Sequence, residues 1–273
     1  LFPSLVNAIH KSSFNMSLKV LLILSLAVAG FDANAQIKKL KTETADQNIL
    51  TDKKQQKMKI EIWSDIMCPF CYIGKRKFEA ALSQFEGRDD VVIEWKSYQL
   101  SPDMVTDPSK NINQYLSEHK GISLQEAARM NAYVTDMAAK EGLTYNFDKT
   151  IVANSFNAHR FAHFAKQHGK QDEAEEKLFS AYFTEGLNLD DAAVLLQLGE
   201  DIGLDSIALK AALDSGMYSD KVEADINEAQ QLGVRGVPFF VFDRKYAVSG
   251  AQDSRVFLQT LEKAYHEREN VRP

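Results

Sequence analysis

Strand-like alternation is confined to two regions of this chain, 58–100 and 239–248, and the residues between them carry helical periodicity with no convincing strand. That split constrains the fold more than any other feature. Strands so far apart share a sheet only if a long helical segment is looped out between them. In the first region, "MKIEIWS" alternates Met58, Ile60 and Ile62 with Lys59, Glu61 and Trp63, the period of two expected of a strand. From Pro69 to Phe85, Ile73, Phe78, Leu82 and Phe85 recur at near-helical spacing, and a proline in the first turn suits a helix start. "VVIEWKSYQL" from Val91 is rich in β-branched and aromatic residues and reads as a second strand, parallel to the first after a right-handed crossover. The second region, "VPFFVFDRKYAVSGA", has short apolar runs at 239–242 and 246–248 about a turn at Asp243-Arg244. A helix over about 254–266 follows, with Val256, Phe257, Leu261 and Ala264 on one face. The predicted fold class is α/β: β-α-β plus β-β-α in a domain over 58–268, with a large all-helical insertion at about 108–232.

Inside the insertion, Ser123-Leu124-Gln125-Glu126 is a capping-box pattern that opens a helix through about Lys140. Further helices are predicted near 152–168, 172–183, 190–202, 206–213 and 219–232. Glycines 142, 169, 186, 203 and 233 fall near their ends, as C-terminal caps do. With 45% apolar and 26% charged residues in 273, the chain has material for one large core.

The N-terminal portion reads as an address. "MSLKVLLILSLAVAGFDANAQ" has Lys19, an apolar run from Val20 to Gly30, and Ala33-Asn34-Ala35, an A-x-A-like cleavage site. Residues 1–35 are therefore expected to be a secretory signal peptide, with 1–15 an over-extended start and 36–57 a polar, lysine-rich tether. The run is too short to span a bilayer comfortably, so no stable membrane insertion is expected after cleavage. No cysteine follows the cleavage site, which argues against a lipid anchor. The expected location is secreted or periplasmic. A net charge of −6 gives no electrostatic case for nucleic acid.

An oxidising compartment changes how the only two cysteines, in "SDIMCPFCYIGKR", are read. A disulfide between Cys68 and Cys71 closes a very small loop and gains little loop-closure entropy, so a structural bridge is the weaker reading. The pair sits where a strand ends and a helix begins. Unpaired N–H groups and the positive end of the helix dipole there stabilise a thiolate at Cys68, the attacking form. Cys71, one turn inward, is placed to resolve the mixed disulfide that Cys68 makes. Pro69 and Phe70 bring no donor or charge to the sulfur, which predicts a less strongly oxidising couple than one with a histidine in the pair.

In "GVRGVPFF", a cis Val237-Pro238 bond is predicted to turn the chain into its strand and expose the Val237 backbone to a substrate segment, beside the cysteine turn. His159 and His163, four apart on one helix, can in principle complete a zinc site with the cysteines, but their helix already uses that spacing for packing, so no metal is expected. Lys75, Arg76 and the cluster Asp172, Glu173, Glu175 and Glu176 read as solvated surface. Glu61, on the first strand, is a candidate proton acceptor for Cys71 if it points inward.

"KIEIWSDIMCPFCYIGKRKFEAAL", "NSFNAHRFAHFAKQHGKQ", "LFSAYFTEGLNLDD" and "LGVRGVPFFVFDRKYAVSGAQ", in that order, resemble the DsbA-like thioredoxin-fold family, and more closely its FrnE-like branch. The resemblance covers about 58–264. It implies a thioredoxin fold interrupted by a helical domain, with Cys68 as nucleophile, Cys71 as resolving thiol, Pro238 as cis-proline, and a cleft that Asn154 and His159 help to line. It also implies cysteine-containing protein substrates, a separate redox partner, and no cofactor beyond the disulfide itself, with glutathione as a conceivable co-substrate. The alternative is a glutathione-dependent isomerase or transferase of the related 2-hydroxychromene-2-carboxylate isomerase type. Those relatives typically carry serine where this chain has Cys68, which favours the redox reading. Many FrnE-like proteins are cytosolic, a point of difference from the export signal read here.

Overall fold

The computed structural model describes residues 57–270. The expected signal at 1–35 and, apart from Lys57, the expected tether at 36–57 lie outside the described residues. β1 (Met58–Ser64) runs into α1 (Pro69–Gln84), and β2 (Val91–Ser97) lies parallel to β1, with Met58 opposite Val91 and Ser64 opposite Ser97. The chain then leaves this sheet. It forms β3 (Asp107–Asn111), α2 (Ile112–Lys120), α3 (Leu124–Lys140), β4 (Ile151–Val152), α4 (Phe156–Gln167) and α5 (Gln171–Ser180), which continues as a π-helical turn, Ala181–Glu185. α6 (Ala192–Asp201), α7 (Ser206–Asp214) and α8 (Ser219–Gln231) complete the insertion. β5 (Phe239–Phe242) returns antiparallel along the free edge of β1, and β6 (Tyr246–Ser249) pairs with it before α9 (Ser254–Asn270). The strand order is β2-β1-β5-β6, the predicted α/β arrangement of a thioredoxin fold with a helical insertion. Asp243 and Arg244, the predicted turn, both have positive φ within the three-residue connection 243–245, where Lys245 N–H donates to the Phe242 carbonyl at 2.9 Å.

β1 is interior in the order and covered on both faces, so its alternation sorts side chains between two clusters instead of between core and water. Ile60 and Ile62 pack in the main core with Phe78 of α1, Phe240, Phe242 and Phe257, where the Phe78 ring lies 5.4 Å from that of Phe240. Trp63 faces the other way, into a smaller cluster with Ala229 of α8 and Val241, and its indole N–H donates to the Asp225 carbonyl at 2.9 Å.

The insertion differs from the expectation of an all-helical segment in one respect: β3 and β4 pair antiparallel as a two-stranded ribbon. Its residues, DPSKN and IV, have no alternation and mostly poor strand propensity, so this pairing is made by tertiary contact. It also explains why α4 begins at Phe156 and not near 152: Ile151 and Val152 are held by β3. The sequence reading missed α2, although Asn111 and Gln114 form a reciprocal capping box at its start. The five cap glycines named above all have positive φ.

α1 meets the insertion through charge, which corrects the solvated-surface reading for Lys75 and Glu175 and in part for Arg76 and Glu176, while Asp172 and Glu173 are exposed as read. Lys75 is 3% exposed and pairs with Glu79, with Glu176 at 3.1 Å and with Asp172 at 3.5 Å. Arg76 reaches Glu176 at 2.8 Å, and the Tyr72 hydroxyl donates to the same carboxylate at 2.6 Å. Lys75 looks like surface in sequence because its helix alone would leave it outside; α5 laid across α1 encloses it. Glu175 is enclosed too, with Oε2 lacking a hydrogen-bond partner. Burial pushes its carboxyl up from 4.5 to about 7, against the opposing pull of His159.

Because the folded state holds this proton more tightly than the unfolded chain, the stabilisation is complete below pH 4.5 and lost as pH rises through about 7. Glu175→Gln is expected to match the parent near pH 4 and to exceed it by about 3 kcal/mol above pH 8. Denaturant unfolding at several pH values checks this, and a constant difference across the series would contradict it.

Candidate functional site

Cys68 is the N-cap of α1, with φ −86 and ψ 111, Pro69 following it in the first turn, and no side-chain cap. Its N–H donates to the Asp65 carbonyl and its own carbonyl accepts from Cys71 N–H, each at 2.9 Å. Asp65 organises this turn from inside: its carboxylate accepts from Met67 N–H at 3.2 Å and from Leu100 N–H at 2.7 Å, tying the cysteine turn to the loop after β2. Both cysteines are free thiols. They are unequal in access, Cys68 being 4% exposed and Cys71 0%. Burial pushes the Cys71 thiol well up, and the adjacent Cys68 sulfur acts in the same direction, while the Ser64 side chain and the Asp65 backbone oppose them. Around Cys68 the half-buried Met67, Pro69 and Val237 and the exposed Phe70 make an apolar rim.

The start of β5 lies against this turn. The Val237–Pro238 peptide is cis, and the Cys68 thiol donates to the Val237 carbonyl at 3.5 Å. What permits the approach is Gly74 of α1: a Cβ there would stand 2.9 Å from Cγ of Pro238 and 3.5 Å from Cβ of Ala251. The proline is further held by its carbonyl, which accepts from Gly250 N–H at 2.8 Å. A glycine inside a helix is destabilising by itself, and here it makes room for Pro238.

Of the sequence candidates, Cys68, Cys71, Pro69, Phe70, Val237 and Pro238 converge. Glu61 does not join them. It lies between Ile60 and Ile62 and so takes the Trp63 face of β1, where Arg244 and Lys59 hold its buried carboxylate, the lysine at 3.1 Å. His159 lies beneath the turn, its Nε2 2.9 Å from the Tyr98 carbonyl and 3.7 Å from Asp65 Oδ1. Burial works against its charged form, but the Asp65 carboxylate outweighs this and its pKa is raised. His163 turns to a different partner, Asp225, at 3.1 Å. Asn154 braces the loop after β2, accepting from Gln99 at 3.0 Å and donating to the Met104 carbonyl at 2.8 Å. A cavity of about 630 Å³ opens beside that loop, lined among others by Leu100, Met104, Val105 and Tyr115, and neither Asn154 nor His159 lines it. Sequence reading missed Asp65, Gly74 and Tyr145, whose hydroxyl donates to the Pro69 carbonyl at 2.7 Å. The first two lie within or next to the cysteine motif and were readable as turn and packing residues; Tyr145 carries no local signal.

A family model for the DSBA-like thioredoxin domain matches residues 59–262. An uncharacterized Bacillus subtilis (strain 168) protein, YwbO, is 31% identical over 211 residues, covering 74% of this chain and 94% of its own. The crystal structure of a probable DsbA oxidoreductase from Streptomyces coelicolor is 38% identical with a TM-score of 0.73, covering 77% of this chain and 91% of its own. A 2-hydroxychromene-2-carboxylate isomerase shares the fold, at 16% identity and a TM-score of 0.54, over 78% of this chain and 97% of its own.

Gly74→Ala tests the packing beneath the site. Helix propensity alone predicts a gain of about 1 kcal/mol, whereas forcing a methyl against a held proline ring predicts a net loss of about 1–3 kcal/mol. The expected result is a less stable, folded protein whose Cys68 reacts with a disulfide probe at a changed rate. A more stable protein with unaltered kinetics would show that the contact is slack.

Proposed function

This chain belongs to the DSBA-like thioredoxin domain family, and from that premise we propose that it is a thiol-disulfide oxidoreductase exchanging disulfides with cysteine-bearing protein substrates through Cys68 and Cys71. The observation that carries this reading is the inequality of the two thiols: one at the mouth of an apolar rim, the other sealed beneath it. Access selects Cys68 as the sulfur that meets substrate, and burial keeps Cys71 protonated until it is needed.

In the oxidising direction, a substrate thiolate attacks Sγ of Cys68 and breaks the Cys68–Cys71 bond. Cys71 leaves, takes a proton and is again a buried thiol. A second substrate thiolate then attacks the substrate sulfur of the mixed disulfide and releases Cys68. Two electrons and two protons pass from substrate to protein, and the reverse sequence reduces a substrate disulfide. An anion released on Cys68 sits at the N-terminus of α1, where helix N–H groups and dipole favour negative charge. The Val237 backbone, next to Sγ, is where an extended substrate segment pairs, and Phe70 and Pro69 give it an apolar seat. The net direction follows from the potential of the couple against its redox partner. The signal peptide expected at 1–35 supports the reading that this work belongs to an oxidising, extracytoplasmic compartment.

Cys71→Ala is expected to accumulate mixed disulfides with protein substrates, seen as thiol-sensitive adducts on non-reducing gels, and Cys68→Ala to accumulate none. Equal trapping by both variants would sink the assignment. Glutathione-dependent turnover of a small aromatic substrate that survives loss of Cys68 would replace it with the isomerase reading.

A further inference from the structure

One of the contacts that the insertion makes with the cysteine turn is a buried hydroxyl on the Pro69 carbonyl. Tyr145, between α3 and β4, is 5% exposed, and its ring is stacked on Phe183 at 4.6 Å and on Tyr72 at 6.2 Å, with Phe147 edge-on at 5.5 Å. The backbone on either side is tied to the π-helical turn. Asn146 N–H donates to the Phe183 carbonyl at 2.7 Å, and the Thr184 hydroxyl donates to the Thr144 carbonyl at 2.7 Å. Gly186 lets this loop close, since a Cβ there would stand 2.5 Å from the Lys149 carbonyl oxygen. With ring and backbone fixed, the hydroxyl has one place to go, and it donates to the Pro69 carbonyl at 2.7 Å.

Pro69 has no N–H and a fixed φ, so its carbonyl reports and restrains its remaining freedom, the rotation that sets where Phe70 and Cys71 stand relative to Cys68. Burial first, and then negative charge on Cys68, Tyr72 and Cys71, raises the Tyr145 pKa far above its ordinary value, so the phenol stays protonated beside a charged sulfur. We propose that Tyr145 is a positioning residue of the dithiol site: its hydroxyl, supplied by the insertion, fixes the Pro69–Phe70 dipeptide in the dithiol form and thereby sets the reduction potential of the Cys68–Cys71 couple. This rests on the oxidoreductase reading above, and it gives the helical insertion a part in tuning the chemistry. The bond accompanies two free thiols. Removing it disfavours the dithiol relative to the disulfide.

The test is equilibration of the full chain with reduced and oxidised glutathione, which supply or accept the two electrons and two protons. Tyr145→Phe keeps the stacked ring and removes the donor. The dithiol is expected to lose about fivefold in the exchange constant, the worth of one neutral hydrogen bond. At 29.6 mV per tenfold this is a potential about 20 mV more negative. Tyr72→Phe, which removes the neighbouring ring's hydroxyl from Glu176 and not from the motif, is expected to leave the potential unchanged. A merely structural role would lower the melting temperature of both redox forms together with no change in potential. That result, or an equal shift in both variants, overturns the proposal. Should Tyr145→Phe fail to fold, 3-fluorotyrosine at 145, a stronger donor on the same ring, decides it: a less negative potential supports the proposal and an unchanged one refutes it. The Cys71→Ala trap is read separately. Trapping without a potential shift removes the role of Tyr145 alone, and a shift without trapping removes the protein-substrate reading alone.

Discussion

The close approach of Pro238 to Gly74 is the contact on which the site depends. α1 and β5 are far apart in the chain, and the Cys68 thiol meets the Val237 carbonyl only because the helix has no side chain at 74. Any larger residue would push the start of β5 outward, and Val237 would no longer face the sulfur. The sheet supplies the other half of the constraint. β1 is hydrogen-bonded on both edges, to β2 and to β5, so the turn at its end is held in register with the start of β5.

Coverage of β1 on both faces also decides what each of its residues does. In a half-exposed strand, Glu61 would have pointed to water or to the cysteines. Here it is 1% exposed and compensated by Arg244 and Lys59, because a buried carboxylate without a partner is costly. The group that does serve the cysteine turn is Asp65, one residue past the strand, where the backbone is free to curl and the carboxylate collects two N–H groups.

The insertion is bound to α1 by ionic and aromatic contacts. Lys75, Arg76 and Tyr72 converge on Glu176, and Tyr72, Phe179, Tyr145 and Phe183 form a run of rings from α1 to the π-helical turn. Within such a seam a charge is stabilised only where its partner has been delivered. Glu176, reached by Arg76, Tyr72 and Lys75, is held down at about 2, whereas its neighbour Glu175, without such partners, is pushed up to about 7.

Local chemistry was legible in the sequence. The period-two strands, the N-cap at Ser123, the cap glycines, the turn at Asp243-Arg244 and the helix-start position of Cys68 are each set by a few adjacent residues, and each is found where it was read, although only the Ser123 half of the expected capping box forms. The β3–β4 ribbon, the burial of Lys75 and Glu175, the orientation of Glu61, and the arrival of Tyr145 at Pro69 were not legible, because each depends on which distant segment lies opposite. By itself the sequence determined that a strand would deliver two cysteines to a helix N-terminus, since period and helix-start signals act over a few residues. Only the tertiary structure decided which groups surround those sulfurs. Burial and pairing are properties of surfaces brought together, and the residues that matter most here, Gly74 and Tyr145, are defined by what they face.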